Sequence, residues 1–235
     1  MMKLPRAILF DLDGVLIASE QVHWMAWGKL LEEMKLPYDE AEIRAMVGMT
    51  APRIMSALLD KHRPGWTPAQ YDVDALALHK NDHYLELIKS HLKAYPGTED
   101  GLKWLKTQGI KSAVVSNAKR RELEAALKTV GLDTAFDVLI SRDDVTPPKP
   151  DPAPYLLGAK LTGFDPRDCL AVEDSPTGIE SALLANVPAA AVLTNFSKAA
   201  MMKPVQSRPD LTPIWIGESL LELFKHLKSL ASPKA

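Results

Sequence analysis

Residues 7–15 read Ala-Ile-Leu-Phe-Asp-Leu-Asp-Gly-Val, and this stretch decides the fold. The apolar run at 7–10 predicts a short buried strand that ends at Asp11, and Gly14 marks a turn just beyond it. Two carboxylates placed two residues apart after a buried strand suit paired chemistry, because one can attack while the other handles protons. The alternative interpretation of Asp11, Asp13 and Gly14 is a plain turn, since aspartate and glycine are both turn formers.

The chain beyond this stretch changes its pattern twice. From residue 20 to about residue 91 apolar residues recur at helical spacing, which predicts an all-helical insert. From residue 98 onward short apolar strands alternate with helices, and this alternation favours a parallel sheet covered on both faces. The predicted strands are 112–115, 138–140, 170–172, 189–193 and 214–216, and the predicted helices are 98–107, 119–130, 152–161, 176–185 and 217–230.

These patterns predict an α/β fold with a Rossmann-like parallel sheet core and an all-helical cap domain inserted after the first strand. We place the core domain at residues 1–17 and 93–235 and the helical cap domain at residues 18–92. Ligands of open parallel sheets bind at the carboxyl ends of the strands, so an insert that leaves from there is expected to lie over the site.

Composition excludes several classes of function. The chain has 235 residues, 46% hydrophobic and 25% charged, with a formal net charge of −2. This charge favours neither nucleic acid nor an anionic membrane as a partner. The single cysteine, Cys169, allows no intrachain disulfide, and no apolar stretch approaches the roughly 20 residues of a membrane span. We therefore expect a cytoplasmic protein without nucleic acid or membrane partners, either a monomer or a homodimer.

Acidic residues also follow a later strand. Glu173 and Asp174 come directly after the predicted strand at 170–172, and we expect them to meet Asp11 at one edge of the sheet. Mg²⁺ prefers carboxylate oxygens, so Asp11 and Asp174 are candidate ligands, with Glu173 binding directly or through water. The alternative is that the two acids only complement the dipole of the helix that follows.

Two further candidates are Lys149 and Ser116. Lys149 lies among the prolines of residues 147–152, where a fixed ammonium suits a phosphoryl oxygen and limits repulsion between carboxylates. A proline-rich linker is the alternative. Ser116 follows a strand, and its hydroxyl together with helix-start amides predicts an anion site that Lys119 reaches. A solvated basic face at residues 119–121 is the alternative there.

Other catalytic motifs are missing from the sequence. It contains no Walker phosphate loop, no dinucleotide glycine fingerprint, no paired-histidine zinc motif and no serine-hydrolase elbow.

Four motifs, around Asp11, Ser116, Lys149 and Glu173, follow one another in this order along the chain. With them, the sequence resembles the haloacid dehalogenase superfamily of phosphohydrolases. It is most similar to the branch with a helical cap after the first strand, which includes phosphoglycolate phosphatases, sugar phosphatases and β-phosphoglucomutases. The resemblance implies that Asp11 is the nucleophile that becomes an aspartyl-phosphate. It implies that Asp13 is the acid/base residue, with its backbone carbonyl on Mg²⁺. It further implies that Ser116 and Lys149 hold the phosphoryl group and that Glu173 and Asp174 complete the metal site.

The same resemblance indicates residues for substrate recognition. They are His23, Trp27, Gly48, Thr50 and Arg53 in the cap, and Asn117 and Lys119 in the core. Ala18 is a departure from relatives, which usually carry an acid near the cap hinge.

The function predicted from the sequence is Mg²⁺-dependent hydrolysis of a small phosphorylated metabolite through an aspartyl-phosphate. A sugar phosphate mutase like β-phosphoglucomutase is an alternative, since the chain shares Val15, His23, Trp27 and Lys119 with that enzyme. The mutase grips a second phosphate with a lysine and an arginine in the cap loop. Those positions hold Val47 and Ala51 in this chain, and the nearest cation is Arg53. An alternative of another class is a module that binds a phosphometabolite or a partner without catalysis.

Overall fold

The computed structural model describes residues 3–44, 46, 49–203 and 213–231, and within them one sheet of six strands forms the centre of the α/β part. The strands are β1 (Ala7–Phe10), β2 (Lys111–Val115), β3 (Val138–Ile140), β4 (Cys169–Glu173), β5 (Ala189–Val192) and β6 (Trp215–Gly217). Their spatial order is β3-β2-β1-β4-β5-β6, and every neighbouring pair is parallel.

Helices separate these strands along the chain, and one helix follows the last strand. In chain order they are α1 (Glu20–Glu33), α2 (Glu40–Arg44), α3 (Ala51–His62), α4 (Val73–His91), α5 (Thr98–Thr107), α6 (Arg120–Thr129), α7 (Ala153–Thr162), α8 (Pro176–Leu184), α9 (Lys198–Met201) and α10 (Leu220–Ala231). The predicted fold class, with its helical cap inserted after the first strand, is confirmed.

The strands are apolar because both faces of the sheet are covered. All four residues of β1 are completely buried, and so is every residue of β5, which reads Ala-Ala-Ala-Val. Parallel sheets of α/β proteins typically show such continuous apolar runs, because crossover helices lie on each face. The resulting core holds β1 rigidly at the centre of the sheet.

The strand order places a topological switch point beside β1. The chain proceeds from β1 to β2 and β3 on one side, and then returns to β4, β5 and β6 on the other. Phe10 pairs with Val114 of β2 and with Val172 of β4, so the three strands end at one level. Open α/β sheets bind ligands in the crevice at such a point.

Backbone contacts divide the chain into two compact units. One is residues 1–18 with 93–235, and the other is residues 19–92, which contains α1 to α4. Ala18, assigned from the sequence to the helical segment, lies instead with the α/β unit, because its amide donates a hydrogen bond to the carbonyl of Lys93. The helical unit has its own apolar core, to which Leu30, Met55 and Leu59 contribute.

The C-terminal boundary between strand and helix differs from the prediction. Gly217 was assigned to the last helix, but it pairs with Val192 as the final residue of β6. The helix begins three residues later, at Leu220, after Ser219 accepts a hydrogen bond from the amide of Glu222. The short helix α9 was not predicted.

None of the helices in the described ranges combines the length and hydropathy that crossing a bilayer requires.

Candidate functional site

Three carboxylates meet at the switch point of the sheet. Asp11 follows β1, Glu173 ends β4 and Asp174 follows it, and one oxygen from each lies within 4.8 Å of the others. The amide of Asp11 donates to the carbonyl of Val172, which ties the end of β1 to β4. The predicted convergence of these residues follows from the parallel register of the two strands.

Lys149 lies among these carboxylates. Its Nζ is 2.7 Å from Oδ1 of Asp11, 2.5 Å from Oε1 of Glu173 and 2.7 Å from the carbonyl oxygen of Val115. An ammonium has three donors, so these three acceptors engage all of them. The side chain is buried, and it links β1, β2 and β4 through one positive charge.

The burial of this cluster shifts its protonation equilibria. Burial raises the pKa of Asp11 to about 8, the Lys149 ammonium opposes that rise, and the charges of Glu173 and Asp13 add to it. Burial alone would lower the pKa of Lys149, but Asp11 and Glu173 outweigh it and raise that pKa. Lys149 is therefore charged, and a divalent cation at the carboxylates would favour ionised Asp11.

Glu173 is completely buried and fully hydrogen-bonded. Besides Lys149, the Tyr155 hydroxyl donates to its Oε1 at 2.7 Å, and the Ser175 hydroxyl donates to its Oε2 at 3.1 Å. The Lys149 ammonium also lies 5.0 Å from the centre of the Tyr155 ring. A Cβ at Gly178 would lie 1.9 Å from the carboxyl carbon of Glu173, so this position accepts no side chain.

Asp174 is held by residues on two other segments. The Asn195 side-chain amide donates to its Oδ2 at 2.7 Å. Gly14 has a φ of +76°, and a Cβ there would lie 2.0 Å from the same oxygen. Glycine at position 14 therefore permits both the left-handed turn after Asp11 and the close approach of Asp174.

The chemistry of this cluster fits a divalent cation. Asp11, Glu173 and Asp174 lie close together, the charge of Asp13 acts on Asp11, and Lys149 forms ion pairs with Asp11 and Glu173. Clustered carboxylates are the hard oxygen ligands that Mg²⁺ takes, and a cation would offset the excess negative charge. Asp11 is partly exposed and Asp174 keeps 5% of its surface exposed, whereas Glu173 has no exposed surface.

Comparison with known proteins agrees with this geometry. Residues 8–192 match the family model of haloacid dehalogenase-like hydrolases. The chain belongs to this family.

Named relatives and a solved structure extend the comparison. A phosphoglycolate phosphatase of Nitrosococcus oceani is 30% identical over 99% of this chain and 100% of its own length. A fructose-1-phosphate phosphatase of Escherichia coli is 29% identical over 77% of this chain and 93% of its own. The crystal structure of β-phosphoglucomutase from Clostridium difficile superposes with a TM-score of 0.75 at 23% identity, covering 96% of each chain. The predicted family, and the prediction of a hydrolytic enzyme, are confirmed.

Ser116 of this haloacid dehalogenase-like chain is buried directly after β2, and its Oγ accepts a hydrogen bond from the amide of Ala118. One amide at the start of α6 is engaged within the protein. The first amide of α6, that of Arg120, donates to the carboxylate of Asp143 at 2.8 Å. The amide of Arg120 is therefore not available to an anion, and the anion site predicted at Ser116 stays a prediction.

Asn117 was predicted to bind substrate, but its amide group is engaged elsewhere. Its Oδ1 accepts from the backbone amide of Lys149 at 3.1 Å, and its Nδ2 donates to the backbone carbonyl of Lys149 at 3.3 Å. This reciprocal pair fixes the backbone that carries the Lys149 side chain. Lys119, which precedes α6, is exposed.

The helical unit holds the other predicted recognition residues. Nδ1 of His23 lies 2.7 Å from Nζ of Lys80, and its ring stacks on Tyr84 with centroids 4.2 Å apart. Trp27 is buried, with Lys80 Nζ 5.8 Å from its ring centre. Thr50 precedes α3 and Arg53 lies in its first turn, both exposed. Gly48 lies outside the described residues.

Three residues of these clusters were not predicted from the sequence. Tyr155, Asn195 and Lys80 lie inside helices or loops without a recognisable motif around them. Each becomes apparent only through a partner that is distant in the sequence: Glu173, Asp174 and His23 respectively.

Proposed function

We propose that this protein is a Mg²⁺-dependent phosphatase that hydrolyses a small phosphorylated metabolite through an aspartyl-phosphate on Asp11. The observation that carries the proposal is the contact of Lys149 Nζ with both Asp11 and Glu173 beside Asp174. That arrangement supplies a nucleophilic carboxylate, a fixed cation and the ligand set of a hard metal ion. The phosphatases named among the relatives support the reaction class and a sugar phosphate or phosphoglycolate-like substrate.

In the proposed reaction, a carboxylate oxygen of Asp11 attacks phosphorus in line and Asp13 protonates the departing oxygen. Asp13 then takes a proton from water, which attacks the acyl-phosphate and releases inorganic phosphate. Lys149 and the Ser116 hydroxyl stabilise charge on the equatorial phosphoryl oxygens. Asp11, Asp174 and the backbone carbonyl of Asp13 would hold Mg²⁺, with Glu173 behind them. The ion supplies Lewis-acid stabilisation of the phosphoryl group when bound.

Lys149 has a second role in this proposal. All three of its donors contact protein acceptors, so a phosphoryl oxygen must replace one of them to reach the ammonium. The Asp11 carboxylate is the acceptor that changes during the reaction, because it loses its negative charge when it becomes an acyl-phosphate. The ammonium can then pass from the carboxylate to the phosphoryl group as negative charge moves.

Turnover of p-nitrophenyl phosphate with Mg²⁺ tests the proposal. Asp11→Asn is expected to lower kcat by about 10³-fold or more, since loss of a nucleophile removes the covalent route. Asp133→Asn is the matched control, because Asp133 is an exposed aspartate of the same unit. Unchanged activity of Asp11→Asn would refute the assigned nucleophile.

Trapping the intermediate distinguishes the role of Asp13 from that of Asp11. Asp13→Asn is expected to slow release of the phosphoryl group, so mass spectrometry of quenched enzyme should show one phosphoryl group on the peptide that contains Asp11. Absence of turnover with every phosphate ester in a metabolite panel, by a folded wild-type protein, would favour the binding-module alternative.

The mutase alternative has one supporting observation in the helical unit. Lys80 is a buried lysine whose Nζ lies 2.7 Å from Nδ1 of His23, a residue that this chain shares with the mutase. A mutase would interconvert sugar 1- and 6-phosphates with a sugar bisphosphate as activator and would release little phosphate. Phosphorus NMR with and without bisphosphate distinguishes the two reactions.

A further inference from the structure

A second group of potential metal ligands lies within the helical unit. Glu33 is the last residue of α1, and His79 and His83 lie four residues apart on α4, which packs against α1. Residues spaced by four share one face of a helix, so both imidazoles face the same carboxylate. The pair lacks the glutamate of the His-Glu-x-x-His motif, and no zinc motif was therefore predicted.

The three side chains are already close enough for a shared ion. Nε2 of His79 lies 2.8 Å from Oε2 of Glu33, and Nε2 of His83 lies 3.1 Å from Oε1. One ligand atom from each residue lies within 4.8 Å of the others. Tetrahedral zinc with ligand bonds near 2.0 Å places neighbouring ligand atoms about 3.3 Å apart. Only small side-chain rotations separate the observed geometry from that one.

His83 gives independent evidence of a ligand. The residue is 8% exposed, and its Nε2 is inaccessible to solvent. That atom lies 3.1 Å from Oε1 of Glu33, but it makes no hydrogen bond to any described residue. A buried polar atom without a hydrogen bond is rare in proteins, because burying it costs free energy that a partner normally offsets. The nitrogen lies 3.1 Å from Oε1 of Glu33, so an ion bound by that carboxylate would be within reach of it.

The cluster is also accessible and charged. The side chains of Glu33 and His79 are each 50% exposed, so an ion can enter from solvent on one side. Hydrogen bonding from His79 lowers the pKa of Glu33, which favours the ionised carboxylate.

We propose that Glu33, His79 and His83 form a binding site for Zn²⁺ that cross-links α1 and α4 of the helical unit. Two imidazoles and one carboxylate select Zn²⁺ over Mg²⁺, because Mg²⁺ prefers oxygen ligands alone. Water completes the tetrahedral coordination on the exposed side. The proposal is independent of the phosphatase function, since its residues belong to neither the Asp11 nor the Lys149 cluster.

Metal analysis of the whole protein tests the site. Chelator-stripped protein is dialysed against Zn²⁺ with Mg²⁺ in excess, and bound zinc is measured per chain. Wild type is expected to bind one more zinc ion than His79→Ala, and its melting temperature is expected to rise with Zn²⁺ while that of the variant does not. His79 is half exposed, so its truncation leaves the packing of α4 intact.

Two controls assign the zinc to this cluster. His91→Ala, an exposed histidine of the same helix, is expected to retain wild-type zinc binding. Asp174→Asn is expected to retain the ion that depends on His79, because it alters only the acidic cluster of the α/β unit. Co²⁺ should show tetrahedral d–d absorption in both controls and lose it in His79→Ala. Equal zinc content and equal thermal shifts in wild type and His79→Ala would overturn the proposal.

Discussion

Nζ of Lys149 lies 2.5 Å from Oε1 of Glu173, and the glutamate has no exposed surface. Removing Lys149 alone leaves the buried charge of Glu173 uncompensated, whereas replacing both residues removes that buried charge as well. The pair therefore supports the fold as well as the proposed chemistry, and these two contributions can be measured separately.

Lys149→Met is expected to lower the free energy of unfolding by about 3 kcal/mol, because Glu173 stays buried without its ammonium. Lys149→Met combined with Glu173→Gln should recover part of that loss, since the buried charge is removed, the amide oxygen can still accept from the Tyr155 hydroxyl, and the amide nitrogen can donate to the Ser175 hydroxyl. Urea unfolding measures both variants. Lys111→Met is the control: its partner Asp137 lies at the surface, so the cost should stay below about 1 kcal/mol. A double variant as unstable as Lys149→Met would contradict the charge argument.

Gly178→Ala tests how closely α8 approaches Glu173. The added Cβ would lie within 2.0 Å of both carboxylate oxygens, so the glutamate must shift away from Lys149. We expect a loss of about 1–3 kcal/mol in unfolding free energy, together with lower phosphatase activity.

Gly28→Ala is the matched control for this substitution. It also lies inside a helix, but its Cβ would meet only the Tyr38 ring, 3.3 Å away on a partly exposed side chain. That variant should be neutral or up to about 1 kcal/mol more stable, because alanine favours helix. Equal effects of the two substitutions would mean that Glu173 adapts without cost.

The sheet and its site were predictable because two simple rules apply to them. Apolar runs such as residues 7–10 must be buried, and polar residues after parallel strands share one edge of the sheet. Asp11 and Asp174 could therefore be brought together without coordinates. The spatial order of the strands could not, because β2, β4 and β5 are all short, apolar and parallel.

The contacts that hold the site were beyond prediction for a different reason. Tyr155 reaches Glu173 from within a helix, and helical periodicity reports only which face is buried, not which hydroxyl meets which carboxylate. The contacts of Asn117 could not be predicted for the same reason. Its place beside Ser116 suggested substrate binding, whereas its amide group brackets the Lys149 backbone.

Asn117→Ala should therefore behave as the loss of a positioning residue. We expect kcat to fall about tenfold with little change in KM, because Lys149 loses a backbone restraint while direct substrate contacts remain. Lys119→Ala, beside it, should raise KM if the predicted substrate contact exists. A large rise in KM with unchanged kcat for Asn117→Ala would instead restore the prediction that Asn117 binds substrate. Steady-state kinetics with p-nitrophenyl phosphate measure all of these values.

Asp144 offers a test of how the start of α6 is held. Its Oδ2 accepts hydrogen bonds from the amide and hydroxyl of Ser141, at 2.7 and 2.6 Å, and from the guanidinium of Arg120. Partial burial alone would raise the pKa of Asp144, but the hydrogen bonds from Ser141 and the charge of Arg120 lower it on balance. A carboxyl group with a lowered pKa stabilises the fold above its unfolded pKa of about 3.9, and this contribution disappears as pH falls through the folded pKa.

Asp144→Asn should accordingly cost about 1 kcal/mol at pH 7, a value discounted because 35% of the side chain is exposed. The cost should shrink as the pH falls below about 4 and then through the lowered folded pKa, where the wild-type carboxyl group becomes protonated in the folded state as well. Urea unfolding of both proteins across this pH range measures the difference, with Asp133→Asn as the exposed control. A cost that stays constant across the range would show that the charge of Asp144 does not contribute, and that a difference between the carboxyl and amide groups that is independent of ionisation accounts for the loss.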